Sequence, residues 1–240
     1  MTVVGMFHFK HFDIEDDRST MKVGTDAVLL GSLVETGNAC SVLDIGTGCG
    51  VIALIMAQRF PEANIVAIDI DRSSVEQAKD NFEQSAWAFN MDVQWCCLRD
   101  FVRAAVCRFD LIVSNPPFFE NSLKGPVESR NNARHADALT FDELLYSVKS
   151  LLGESGEFWC ILPFESAKKM ITVAPAYSLY PSSTVSIAMK EAATPKRMVF
   201  SLKHQKSETI RQSYLTIRNS ENEYSDAYRT LTQDLYVSLK

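Results

Sequence analysis

Seven residues, Asp44-Ile45-Gly46-Thr47-Gly48-Cys49-Gly50, join a β-rich apolar run, Ser41 to Ile45, to an apolar helical run, Val51 to Phe60. A strand that ends in alternating glycines and opens directly into a helix is the start of a βαβ unit. Glycine lacks a Cβ, so it turns the chain sharply and lets a ligand approach the backbone. The helix that follows presents free N–H groups and a partial positive charge. The rest of the chain repeats the alternation. Strands are predicted at Ile65 to Ile68, Val93 to Cys97, Phe109 to Ser114 and Phe158 to Leu162, with helices at Ser73 to Glu83 and Phe141 to Leu152. Apolar strands alternating with amphipathic helices imply a parallel sheet covered on both faces, a doubly wound α/β fold.

After Pro163 the rhythm changes. Ser183 to Met189 and Met198 to His204 read as strands with no room for a helix between them, so they are expected to pair antiparallel. Ile210 to Arg218 adds a further short strand, and Ser225 to Val237 a terminal helix with Ser225 as N-cap. Ahead of the sheet, residues 1–36 form an extension with a helix near Asp26 to Glu35, expected to pack over the glycine turn, and residues 37–240 form the main domain.

At 240 residues, 46% hydrophobic and 22% charged, the chain suits one sizeable core and excludes disordered and fibrous classes. No export signal or membrane-length apolar run is visible, so a cytoplasmic protein is expected. Six cysteines at irregular spacing lack the Cys-x-x-Cys pairs of a zinc site; they are read as reduced and buried, with no metal. A net charge of −6 argues against broad nonspecific nucleic-acid binding but permits a local basic patch.

The glycine turn points to a nucleoside cofactor held by Asp44, Gly46, Thr47, Gly48 and Gly50. A dinucleotide site would use Gly-x-Gly-x-x-Gly, whereas here an acid precedes three alternating glycines. That acid repels a pyrophosphate and suits the ammonium of a methionine moiety, which favours S-adenosyl-L-methionine over NAD. Asp69, about 20 residues on at a strand end, is placed to accept from ribose hydroxyls. Its neighbour Asp71 competes for that role, although Asp71 or Ser73 is better suited to cap the next helix. Asp100 and Phe101 follow the third strand and are candidates for the adenine edge and face; a strand-ending acid with a core aromatic is the alternative.

Asn115-Pro116-Pro117-Phe118 closes the fourth strand, about 65 residues beyond the glycines. Open α/β sheets bind ligands at the carboxyl ends of their strands, which sets this tetrapeptide beside the glycine turn. Two prolines stiffen the loop. The Asn115 side-chain oxygen and the Pro116 carbonyl are suited to accept from an –NH₂ group, orienting its lone pair and favouring the charge that develops on nitrogen. Phe118 is suited to stack on a planar target, worth about 1–3 kcal/mol per base. A cofactor turn and an amine clamp together point to methyl transfer to nitrogen.

Both motifs resemble those of class I S-adenosylmethionine-dependent N-methyltransferases, which act on adenine N6, guanine N2 or protein glutamine. That resemblance implies a Rossmann-like, seven-stranded, mostly parallel sheet with an antiparallel edge strand. Two further stretches narrow it. Met21-Lys22-Val23-Gly24-Thr25-Asp26-Ala27-Val28-Leu29-Leu30-Gly31 is similar to the N-terminal signature of bacterial tRNA1(Val) adenine N6-methyltransferases, and Arg130 with Ala133-Arg134-His135 resembles the segment after their tetrapeptide. The likeness spans nearly the whole chain and implies methylation of the adenosine 3′ of a valine tRNA anticodon, position 37. Lys22 and Thr25, the latter capping its helix, are then expected at the cofactor mouth. Lys124, Arg130, Arg134 and His135 in the long loop from Glu120 to Ala136, and Lys196 and Arg197 with Lys203, His204, Lys206 and Arg211, are two candidate RNA-binding stretches. The rivals are a protein glutamine N5-methyltransferase acting on a release factor, another RNA amino-group methyltransferase, and a cofactor-binding module without catalysis. DNA methylation is disfavoured because no separate target-recognition domain is evident.

Overall fold

The computed structural model describes residues 6–116 and 139–238. Strands β1 (Met6–His8) and β2 (Asp13–Glu15) form an antiparallel hairpin ahead of helix α1 (Thr25–Leu33). Then follow β3 (Ser41–Ile45), α2 (Val51–Arg59), β4 (Asn64–Asp69), α3 (Arg72–Glu83), β5 (Met91–Trp95), α4 (Leu98–Ala104) and β6 (Phe109–Ser114). Beyond residue 138 come α5 (Phe141–Leu151), β7 (Leu152–Pro163), α6 (Phe164–Val173), β8 (Tyr180–Lys190), β9 (Arg197–Lys203), β10 (Arg211–Arg218) and α7 (Asp226–Thr232).

One eight-stranded sheet runs β10-β8-β9-β7-β6-β3-β4-β5. Every pairing is parallel except those of β9, which runs antiparallel to both β7 and β8. Two expectations are thereby refined. Among the described residues the sheet has eight strands, because Arg211–Arg218 pairs with β8, in register from Arg211↔Ser183 to Arg218↔Lys190. The antiparallel strand lies inside the sheet, since the short β8–β9 turn folds β9 back between β7 and β8.

The two faces bury separate cores. One gathers residues of α1, α2, α3 and α7, including Leu29, Leu30, Leu54, Ile55 and Phe82; the other gathers α4, α5 and α6, including Phe101, Leu144, Leu145 and Met170. Central strands are apolar on both faces, as in β6, where Leu111, Ile112 and Val113 are all buried. Fully burying each such aliphatic side chain is worth about 1.5–3 kcal/mol.

Local chemistry seats the helices that shape the site. A Cβ on Gly31 would meet Ile55 Cγ2 at 2.7 Å, so the glycine lets α1 lie directly on α2. The Arg59 guanidinium donates to the carbonyls of Gly31 (2.5 Å) and Val34 (2.6 Å), placing a cation on the negative end of α1. Thr25 does not cap this helix, contrary to expectation: extended Gly24 is the N-cap, no side chain bonds there, and Thr25 begins the first turn. Elsewhere the capping chemistry is as read. Asp71 accepts from Ser74 N at 2.8 Å to start α3, and the Ser225 hydroxyl accepts from Tyr228 N to start α7.

The terminal helix is shorter than predicted because the following segment turns back to the N-terminal hairpin, with Phe9 bridging Tyr236 and Lys10 N donating to Leu235 O at 2.8 Å. Stacked rings of Phe9, Phe12 and Tyr236 fill that junction. All six cysteines are free, yet only Cys49 and Cys160 are buried; Cys40 and Cys107 are exposed, which corrects their reading as uniformly interior. Among the described residues no helix is long and apolar enough to cross a membrane, and no cluster of His, Cys, Asp and Glu is suited to hold a metal ion.

Candidate active site

The glycine turn does what its sequence requires. Gly46, Gly48 and Gly50 have φ of +74°, +58° and +89°, the left-handed region that costs other residues about 1–2 kcal/mol each. Gly50 has a second constraint, since its Cβ would meet Phe82 Cε1 at 2.5 Å; Gly46 faces open space. The turn is held from beneath by Gly46 N and Thr47 N, which both donate to Ile68 O of β4.

Two carboxylates bracket it. Asp44 is completely buried; its Oδ2 accepts from the Thr47 hydroxyl at 2.7 Å, while Oδ1 has no hydrogen-bond partner. Burial is the main cause that pushes its carboxyl up to about 7, helped by the charge of Asp69 and opposed by the Thr47 hydroxyl. A buried, unsatisfied acceptor at the base of a glycine turn fits a cationic group such as an ammonium. Asp69 ends β4, where its two oxygens accept from Gly48 N (2.8 Å) and Asp71 N (2.9 Å). Burial raises its pKa, and these backbone bonds oppose the shift.

The N-terminal segment wraps this end of the sheet. Asn81 of α3 donates to both Glu15 O and Cys49 O at 2.8 Å, and Ser19 Oγ lies 3.1 Å from Ser74 Oγ. Those ties bring Met21 beside Gly48. Lys22 bonds to Asp16, with its ammonium also 3.8 Å from the Asp16 carboxylate.

A cavity of about 590 Å³ opens along the carboxyl edge of the sheet. Gly46, Thr47 and Gly48 line one part, Asn115 and Pro116 another, and Lys22, Gly24, Thr25 and Asp26 a third. β6 is the direct neighbour of β3, so Asn115 stands one strand, about 5 Å, from the glycine turn. The Ser114 hydroxyl bonds Ile45 O at 2.8 Å and ties the two strand ends together. No hydrogen bond among the described residues holds the Asn115 side chain, which leaves its amide for a ligand.

Other predicted residues are placed differently. Phe101 is buried in the second core, its ring 6.2 Å from that of Phe109, and Asp100 faces Cys97 and Arg103; neither lines the cavity. Arg197 lines the cavity but its guanidinium is engaged by Asp26 at 2.7 Å. Within the basic stretch around it, Lys203 pairs with Glu157 (2.5 Å) and Arg211 with Glu35 (2.8 Å). Three of its five lysine and arginine side chains are thus met by acids, leaving Lys196 at the cavity. Pro117, Phe118, Lys124, Arg130, Arg134 and His135 lie outside the described residues. Sequence reasoning missed Ile187, Met189 and Ile217, which also line the cavity; as ordinary strand aliphatics, they carried no local signal.

Residues 18–163 match the model of the methyltransferase small domain. A curated relative from Bacteroides thetaiotaomicron is 40% identical over 98% of this chain and 98% of its own length, and is named tRNA1(Val) (adenine(37)-N6)-methyltransferase. Relatives with the same name from Phocaeicola vulgatus (97% of this chain, 98% of theirs) and Flavobacterium psychrophilum (98% and 100%) are 41% and 38% identical. Among solved structures, a predicted O-methyltransferase from Agrobacterium tumefaciens superposes with a TM-score of 0.66 at 18% identity, covering 88% of this chain and 96% of that one. A ribosomal protein L11 methylase from Lactobacillus delbrueckii superposes at 0.53 with 17% identity, covering 76% and 78%. These structural likenesses speak to the fold.

Proposed function

We propose the activity of this chain from the premise that it belongs to the tRNA1(Val) (adenine(37)-N6)-methyltransferase family: it transfers a methyl group from S-adenosyl-L-methionine to N6 of adenosine 37 in a valine tRNA. The single observation that carries this reading is the juxtaposition of Asn115 and Pro116 with Gly46 to Gly48 in one cavity.

The residues fit the donor. Backbone groups of Gly46, Thr47, Gly48 and Gly50 would cradle it, the unsatisfied Oδ1 of Asp44 would face the ammonium, and Asp69 would meet the ribose hydroxyls. Lys22 and Thr25 border the mouth. S-adenosyl-L-methionine, when bound, supplies a methyl group activated by its sulfonium.

The rest is the work of the chain. The Asn115 side-chain oxygen and the Pro116 carbonyl accept hydrogen bonds from the two N6 hydrogens, which orients the nitrogen lone pair and stabilises the positive charge that grows on it. A strong base is not required, because the extra proton is acidic once nitrogen is cationic and leaves to solvent. Pro117 and Phe118 are proposed to complete the clamp, with the Phe118 ring stacking on the base. Adenosine 37 is single-stranded but stacked in its loop, so presenting it costs a few kcal/mol of unstacking rather than a broken pair. Arg130, Arg134, His135 and Lys196 are proposed to meet the RNA backbone. A tRNA substrate implies a cytoplasmic enzyme.

The test is incorporation of labelled methyl into valine tRNA and into the same tRNA with guanosine at position 37. Incorporation confined to the adenosine form supports the assignment. Equal incorporation into both would refute the site, and incorporation into a release-factor peptide alone would move the activity to glutamine.

A further inference from the structure

The cavity does not end at Asn115. Sheet order places β3 and β4, with the glycine turn and Asp69, on one side of β6, and β7, β9, β8 and β10 on the other. On that second side its walls are Leu29 from α1, Ile187 and Met189 from β8, Arg197 from β9 and Ile217 from β10. Strand spacing puts β9 about 10 Å and β8 about 14 Å from β6, enough for a base and its ribose. We infer that this compartment is the acceptor subsite, taking the target purine nucleoside of an RNA with its base beside Asn115 and its ribose toward Met189; the inference rests on the activity proposed above.

Three observations select that occupant. First, register makes the wall. Ile187 lies opposite both Arg197 and Leu215, and Ile217 continues the register beside Met189, so period-two alternation sends all of these side chains to the α1 face. Second, chemistry divides the cavity. The glycine end offers the backbone of Gly46, Thr47 and Gly48, while this end is walled by the aliphatic side chains of Leu29, Ile187, Met189 and Ile217. Met189 is half exposed, an apolar side chain left at the mouth while Ile187 and Ile217 beside it are buried. Third, charge suits a phosphodiester. Lys196 lines the mouth and is in no ion pair among the described residues. The Asp26–Arg197 pair joins the first turn of α1 to β9 and closes the side of the compartment.

The experiment uses valine tRNA with adenosine at position 37 for kinetics, and the same tRNA with 2-aminopurine at that position for binding. 2-Aminopurine lacks the 6-amino group, so it cannot be methylated and its emission reports only unstacking and capture. Met189→Glu is expected to raise KM for tRNA about tenfold or more and to weaken capture of the 2-aminopurine tRNA similarly. Met189→Leu, which keeps an apolar wall, should recover most of the capture that Met189→Glu loses. Lys196→Ala should raise KM and make tRNA affinity less dependent on salt. Affinity for S-adenosyl-L-homocysteine should be unchanged in all three, which a general loss of fold would not allow; should Met189→Glu fail to fold, Met189→Ala replaces it. Wild-type KM and wild-type capture in the Met189→Glu or Met189→Ala enzyme would overturn the subsite. A wild-type enzyme inactive on valine tRNA would overturn the proposed activity instead, and the capture readout would still decide the compartment.

Discussion

The two ends of the cavity are built in opposite ways. The β3 end is made of backbone: Gly46 and Gly48 in left-handed conformations line it, their turn held by bonds to Ile68 and Asp69 and supported from beneath by Gly50 and buried Asp44, all within a short stretch of chain or one strand away. The β8–β10 end is made of side chains from four elements, α1, β8, β9 and β10, brought together by strand register. The first is fixed by local conformation, where an added methyl is strained at every glycine and also meets Phe82 at Gly50. The second is fixed by packing and one ion pair, and tolerates exchange of like for like. Donor recognition is therefore expected to be rigid, and acceptor recognition adjustable.

Asn115 stands between the ends, and its loss is the largest expected effect. Asn115→Ala should lower kcat by about 10²–10³, the usual cost of one lost transition-state hydrogen-bonding group, with affinity for S-adenosyl-L-homocysteine unchanged. A parallel loss of donor affinity would place Asn115 with the glycine end and break the division.

Next in size is the titration of Asp44. Its pKa is raised in the folded chain, from the ordinary 3.8 to about 7. The protonated form is therefore the one favoured by folding, and the stabilisation it brings is fully present below about pH 4 and lost as pH rises to about 7. Three units correspond to about 4 kcal/mol. Thermal melts of Asp44→Asn should show a flatter decline between pH 4 and 7 than wild type. Donor affinity in the wild type should rise over the upper part of that window, as the carboxylate ionises, and in the variant it should not. A decline in stability as steep in Asp44→Asn as in wild type would mean another group titrates.

Two glycines sharpen the claim that the β3 end is conformationally fixed. Gly50→Ala meets both a forbidden φ and Phe82, and should cost about 2–4 kcal/mol of stability. Gly46→Ala meets open space, so only the backbone term of about 1–2 kcal/mol remains. Equal losses in denaturant titration would contradict the distinction. The smallest effect belongs to the other end: a double-mutant cycle on Asp26 and Arg197, whose carboxylate and guanidinium are both partly exposed, should return about 1 kcal/mol of coupling.

That contrast also explains what the sequence revealed. The β3 end was legible because glycine at alternate positions, after a strand and before a helix, has few physical explanations, and each residue's task is local. Most strands from Ser41 to Ser114 were placed within two residues for the same reason: each is short, apolar and bounded by a helix start. The β8–β10 wall was not legible. Ile187, Met189 and Ile217 are aliphatics in strands, and only register, which depends on the pairing of segments distant in the chain, shows that they share a face. Arg197 was read as a free cation because no local pattern announces Asp26, 171 positions earlier, as its partner. Phe101 belongs to the same class of difficulty: an aromatic just past a strand packs into the core or faces a ligand according to the element it joins, and as part of α4 it is turned inward.

The most direct test of the account is a crystal structure with S-adenosyl-L-homocysteine bound. The account predicts the ligand along Gly46 to Gly50, its ammonium toward Asp44, its ribose at Asp69, its sulfur toward Asn115, and the β8–β10 compartment free of it. Ligand lying in that compartment, or away from the glycine turn, would contradict it.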